Sequence, residues 1–216
     1  MNASAIYDLF IRENAIWFFD YNDGNPSSPH AELTSGLCSD GYINCRVVLS
    51  DPQNSQWLAV QLVKASVARN VKYPDWVVGS PYAGITFSYE VARLMGAKHG
   101  FPQKDPKDDK KMVWVGPTIP EGATVLQCEE LITTLGTAVK VREAITTGNP
   151  PVVHFIRHVL TIVHRPEIIS DWDEATIIAL IRREVKTWQP QECPLCKAGS
   201  PRVRPSKNWA ELTSKK

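Results

Sequence analysis

Val125-Leu126-Gln127-Cys128-Glu129-Glu130-Leu131-Ile132-Thr133-Thr134-Leu135-Gly136-Thr137 is the stretch on which the fold turns. Residues 123–128 read as a buried strand, and the apolar spacing after Gly136 predicts a helix over 137–145. Two adjacent carboxylates at a strand's end are costly to bring together unless each finds a cationic or hydroxyl partner. A helix that opens on threonines and a glycine presents hydroxyls and free backbone N–H groups at the positive end of its dipole, where a phosphate binds. Acids for ribose hydroxyls beside amides for a phosphate suit a sugar phosphate.

Working outward, Ser50-Asp51-Pro52 is a helix start, an acidic cap before proline, and it leads into Trp57, Val60, Val63, Lys64 and Val67 at helical spacing. Residues 75–79 read as a short buried strand, and beyond Ser80-Pro81-Tyr82-Ala83-Gly84 comes a helix carrying Phe87, Val91, Leu94 and Met95. Residues 112–115 are a possible strand of a second strand-loop-helix unit, and 159–163 and 176–181 are β-branched runs that read as further strands. Strands alternating with helices predict an α/β fold, a doubly wound, mainly parallel sheet. Ligands of such sheets sit beyond the strands' carboxyl ends, so the places for chemistry are the loops after Gly79, Cys128 and Val163.

With 216 residues the chain has room for one medium-sized domain with a small appendage. Its 43% hydrophobic and 22% charged residues are those of a folded globular protein. Lys plus Arg 24 against Asp plus Glu 23 leaves a formal charge of +1, and no global basic field argues for nucleic acid. The opening residues lack a basic region followed by an apolar run, and no stretch reaches the roughly 18 uncharged residues that span a bilayer. Five cysteines, an odd number with only Cys193 and Cys196 close together, do not form a secreted disulfide framework. The expectation is a soluble cytoplasmic protein without membrane or nucleic-acid partners. Residues 22–29, 100–111 and 189–216 read as loops.

Residues 125–138 resemble the phosphoribosyl-pyrophosphate signature of type I phosphoribosyltransferases, with Glu129 and Glu130 as its acid pair and Leu135 where glycine is common. Three further segments are similar to the orotate phosphoribosyltransferase family. Residues 33–46 resemble its Leu-Lys-Ser-Gly…Tyr substrate segment, keeping Ser35, Gly36 and Tyr42 but with Thr34 for the lysine. Residues 79–85 resemble its pyrophosphate loop, with Tyr82, and Ala83 where lysine is frequent. Residues 103–109 resemble its catalytic loop, keeping Lys104 and Lys107, with Gln103 for arginine and Asp109 for histidine.

The resemblance implies a domain over 1–188, made of an N-terminal hood and substrate segment (1–50) and an α/β core (75–185), followed by a Pro-rich, basic tail (189–216). It implies transfer of phosphoribosyl from phosphoribosyl pyrophosphate to orotate, with Mg²⁺ carried by the substrate, and a homodimer in which the loop over 100–111 reaches a neighbour's active site. Lys104 and Lys107 would neutralise pyrophosphate, Glu129 and Glu130 would hold the ribose, and Thr133, Thr134, Leu135, Gly136 and Thr137 would bind the 5′-phosphate. Arg165 would receive the orotate carboxylate, a task suited to a guanidinium, which grips carboxylates bidentately and keeps its charge. The alternatives are a phosphoribosyltransferase for another base and a non-catalytic nucleotide-binding regulator on the same fold.

His154 and His158 stand four apart, as metal ligands can, without a third ligand at matching spacing. Cys193-Pro194-Leu195-Cys196 is a knuckle of the kind that binds zinc, but it supplies two of the four ligands a closed site needs. A second tail across a dimer, or Cys38 and Cys45, could complete it; the other readings are a redox disulfide and two reduced thiols in a turn.

Overall fold

The computed structural model describes residues 3–19, 28–108 and 110–213. The N-terminal part comprises α1 (Ala3–Arg12), β1 (Ile16–Phe18), β2 (His30–Glu32), β3 (Cys38–Ser39), β4 (Gly41–Ile43), α2 (Cys45–Leu49) and α3 (Pro52–Ala68). The middle holds β5 (Trp76–Gly79), α4 (Gly84–Met95), β6 (Lys98–Gly100), β7 (Gln103–Lys104), β8 (Met112–Val113), β9 (Thr124–Ile132) and α5 (Gly136–Gly148). The rest is β10 (His154–His164), α6 (Asp171–Thr176), β11 (Ile177–Arg182), β12 (Thr187–Trp188), α7 (Pro194–Lys197), β13 (Arg202–Val203) and α8 (Trp209–Thr213).

Five strands form a parallel sheet in the order β11-β10-β9-β5-β6. Both faces are covered, which is why the strands read as apolar runs rather than alternating ones. Leu126, Cys128, Leu160 and Ile162 meet α1, α3 and α4 through Phe10, Leu58, Leu62 and Phe87 on one face. On the other, Trp76, Val78 and Val125 pack with Val141 and Ile145 of α5.

The cap at Asp51 is as the sequence predicts, its carboxylate accepting from the Gln53 N–H at 2.8 Å. The buried face of α3 is not the one its large apolar residues suggest. Ser55, Leu58, Ala59, Leu62, Ala65 and Ser66 face inward, while Trp57 and Val67 are 37% and 49% exposed. Small residues let the helix approach its neighbours closely, and apolar residues on both sides leave periodicity ambiguous. Residues 112–115 are not a strand of the main sheet either. Met112 and Val113 pair only with β7 in a separate hairpin, and buried Trp114 turns back among Gly100, Gly116 and Gly148, where a Cβ would collide with its ring or backbone.

A separate four-stranded sheet has the order β12-β3-β2-β13; we call it the hood sheet, although it joins strands from the N-terminal segment to strands beyond residue 186. The tail over 189–216 is more than a loop: β13 pairs in parallel with β2, α7 carries the cysteine knuckle, and Trp209 of α8 packs near Tyr42. Among the described residues no helix is long and apolar enough to cross a membrane.

Candidate active site

The chain passes from β6 on one side of β5 to β9 on the other, so strand order reverses between β5 and β9, the place where open α/β sheets leave a crevice. β5 stops at Gly79, opposite Cys128, while β9 runs on to Ile132 beside β10. Glu129 and Glu130 therefore belong to the strand rather than to a loop after Cys128, on the part of it that overhangs β5.

Glu129 is 5% exposed and its Oε1 has no hydrogen-bond partner. Burial, with Glu130 adding repulsion, pushes its carboxyl up to about 8. Glu130 is raised by burial too, with its own backbone N–H and Arg46 acting in the opposite sense. Arg46 is a neighbour the sequence reading did not single out, although it ends the 33–46 segment. The first residue of α4, Gly84, approaches this pair: a Cβ there would lie 2.9 Å from Ser80 Oγ and 3.1 Å from Glu130 Oε2. In the loop before it the Pro81–Tyr82 peptide is cis, Ala83 is half-buried and Tyr82 is 64% exposed. Lys104 and Lys107 are exposed on the β7–β8 hairpin. Asp109 lies outside the described residues.

Beyond β9, Thr133 and Thr134 are exposed before α5, whose N-cap Leu135 provides no side-chain cap. The first-turn N–H groups of this 13-residue helix are open to an acceptor there. Leu135 has φ −79°, so its Cβ is no obstacle to the loop's conformation. Thr137 is half-buried in the first turn and Gly136 exposed.

Leu33, Thr34, Ser35 and Leu37 of the β2–β3 loop, Tyr42, Thr133, Thr134 and Arg165 line a cavity of about 500 Å³. Gly36, at φ +84°, makes the turn of that loop. Pro166, Glu167, Val185 and Thr187 complete the wall, and sequence reasoning missed them because nothing local marks them. Arg165 follows β10, its N–H donating to Ile132 O at 2.9 Å. Its Nε is buried without a partner, and burial pulls the guanidinium below its usual range, against the influence of Tyr42 and Cys45. The cavity unites the hood loop, the threonines and Arg165. Glu129, Glu130, Tyr82, Ala83, residues 135–137 and the two lysines do not line it.

His154 and His158 belong to no cluster of three or more metal-ligating side chains among the described residues. Cys45 does not join the knuckle: it is buried under the sheet with its thiol 3.5 Å from Glu130 O. Cys38 does reach the knuckle, and so does His30, which had no sequence signal.

No protein-family model matches the sequence. The orotate phosphoribosyltransferase of Heliobacterium modesticaldum is 32% identical over 207 residues, 95% of this chain and 98% of that protein. Among solved structures, orotate phosphoribosyltransferase from Aeropyrum pernix superposes with a TM-score of 0.58 at 16% identity, covering 82% of this chain and 93% of that one. Leishmania donovani UMP synthase gives 0.59 at 18% identity, with 98% of this chain matched to 41% of that longer one.

Proposed function

The chain belongs to the orotate phosphoribosyltransferase family, and from that premise we propose that it transfers phosphoribosyl from phosphoribosyl pyrophosphate to orotate, releasing pyrophosphate and orotidine 5′-monophosphate. The observation that carries the reading is the buried, unpartnered Nε of Arg165 in a cavity that also holds Thr133 and Thr134. A buried donor left without a partner is costly, and an anionic base supplies the partner.

As the bond from ribose C1 to pyrophosphate breaks, positive charge grows on the ring and negative charge on the leaving group, so the protein's tasks are positioning, neutralisation and exclusion of water. The open N-terminus of α5 and the hydroxyls of Thr133, Thr134 and Thr137 receive the 5′-phosphate. Glu129 and Glu130 meet the ribose hydroxyls; the carboxyl of Glu129, neutral below about pH 8, donates a hydrogen bond in that state and accepts when ionised. Lys104 and Lys107, exposed on their hairpin, swing onto the pyrophosphate. Tyr82 and Ala83 flank it from the β5–α4 loop, and Ser35, Gly36 and Tyr42 close over the base oriented by Arg165.

Glu129 and Glu130 offer oxygen donors, the type a hard cation takes, and Mg²⁺ would be held mainly by pyrophosphate oxygens and water near them. When bound it neutralises the departing pyrophosphate. The same reading includes a cytoplasmic homodimer whose hairpin lysines serve the neighbouring active site.

Turnover of orotate, uracil and a panel of purines, followed by pyrophosphate release, tests the assignment. Orotate is expected to be the preferred acceptor. Preference for another base would move the function within the superfamily, and no release with any base would leave a nucleotide-binding regulator.

A further inference from the structure

The knuckle at Cys193 and Cys196 supplies two thiols, and the hood sheet brings two more donors to it. β13 folds the tail back along β2, which places α7 beside His30 of β2 and Cys38 of β3. Cys38 Sγ and Cys196 Sγ are 3.7 Å apart, and His30 Nε2 is 3.7 Å from Cys193 Sγ and 3.5 Å from Cys196 Sγ. All four donor atoms lie within 4.8 Å of one another. With metal–sulfur bonds of about 2.3 Å and a metal–nitrogen bond of about 2.05 Å, tetrahedral coordination has S···S edges of about 3.8 Å and S···N edges of about 3.5 Å. These three edges match one ion. They do not match a disulfide, whose sulfurs are about 2.05 Å apart.

The surroundings select the ligating form of the histidine. Ser200 Oγ donates its one proton to Ser28 O at 2.6 Å and lies 2.8 Å from His30 Nδ1, so it accepts from Nδ1–H. That fixes the tautomer and leaves the Nε2 lone pair facing the thiols, as a metal-binding histidine is held by its outer partner. The Cys196 N–H points at Cys193 Sγ at 3.5 Å. His30, Cys38 and Cys193 are fully buried, and Ser200 nearly so.

We propose that His30, Cys38, Cys193 and Cys196 bind one zinc ion that clamps the tail to the hood. A soft set of three thiolates and an imidazole suits Zn²⁺ rather than Mg²⁺, and four protein ligands leave no open position, so the site is structural. Each thiol loses its proton to solvent as the ion binds. Cys38 opens β3 directly after the loop that lines the cavity, and His30 opens β2, the strand that leads into that loop, so the ion braces the hairpin from behind. Only this bracing rests on the substrate reading above; the ion does not.

Elemental analysis of the full chain, purified reduced and without chelators, is expected to give about one zinc per chain. Cobalt in its place is expected to show the intense visible bands of tetrahedral thiolate coordination. Cys38→Ser, Cys193→Ser and His30→Ala should lose the ion, His154→Ala should keep it, and Ser200→Ala should weaken it about ten- to hundredfold. Should the cysteine variants fail to fold, His30→Cys is the second arm, expected to retain the ion with a shifted cobalt spectrum. Removing zinc from the wild-type chain with a thiol-specific mercurial should make the tail cleavable by protease while the central sheet persists. Zinc-free preparations that bind no cobalt, or a Cys38–Cys196 disulfide found by mass spectrometry in the native chain, would overturn the clamp. Stoichiometric zinc without orotate turnover would sustain the clamp and overturn the reading of function.

Discussion

Glu130 Oε2 and the α carbon of Gly84 are so placed that a Cβ on the glycine would stand 3.1 Å from the carboxylate. The end of β9 and the start of α4 therefore share one small volume, and a Cβ at position 84 would make the Glu130 carboxylate give way by a few tenths of an ångström. Ser80 Oγ, nearer still at 2.9 Å, can rotate away. Gly84→Ala is expected to cost about 1 kcal/mol of stability and to raise KM for phosphoribosyl pyrophosphate about tenfold, the effect of a misplaced positioning group. Thermal unfolding and steady-state kinetics on the same preparation check both numbers.

Glu129 makes stability depend on pH. Its carboxyl titrates near 4.5 when unfolded and about 8 in the folded chain, because of burial first and Glu130 second. Between those values the folded state holds a proton that the unfolded state has released. The contribution is fully present below pH 4.5 and is lost as pH rises through about 8. The thermal midpoint of the free protein should accordingly fall from about pH 5 to pH 9, and Glu129→Gln should flatten that slope, with a gain on the order of a few kcal/mol at the alkaline end. A variant as steep as the wild type would place the titration elsewhere.

Lys104 and Lys107 are exposed and bury nothing, so Lys104→Ala and Lys107→Ala should leave the melting temperature within about 1 °C of wild type, since surface substitutions change stability by less than about 0.5 kcal/mol. The same changes should lower kcat by about a hundredfold or more, because neutralisation of pyrophosphate is lost. Mixing a chain that lacks both lysines with one that lacks both Glu129 and Glu130 should restore partial activity. A fully active monomer would refute the sharing.

Arg165→Ala should cost about 2–5 kcal/mol in kcat/KM for orotate, as for removing one partner of a desolvated charge pair. Uracil, which lacks the carboxylate, should be affected far less. Arg165→Lys should recover part of the loss, since an ammonium has no fork. Equal losses for both bases would make Arg165 structural.

The parallel core was legible because its signals are local: the apolar run of β9, the Asp51–Pro52 cap, the acid pair and the threonines beside it. The hood sheet was not, because its strands are two or three residues long and β12 and β13 exist only by pairing with segments far away in sequence. Of residues 112–115 only Met112 and Val113 form a strand, in the small hairpin, because the tryptophan after them turns back to pack on glycines. Arg165 could be placed from the strand before it, whereas Pro166, Glu167 and Thr187 meet the cavity only through the fold. His30 carried no signal at all, since one histidine beside an alanine and a glutamate is ordinary.

The hood hairpin β2–β3 is flanked by β12 on one edge and β13 on the other, and that order has a consequence during synthesis. The central sheet can close once residue 182 has left the ribosome, but the hairpin keeps an unpaired edge until residue 203 has followed. Unpaired edges recruit other chains. Translation that stalls between those two points would leave a finished core beside a hairpin with one edge still open.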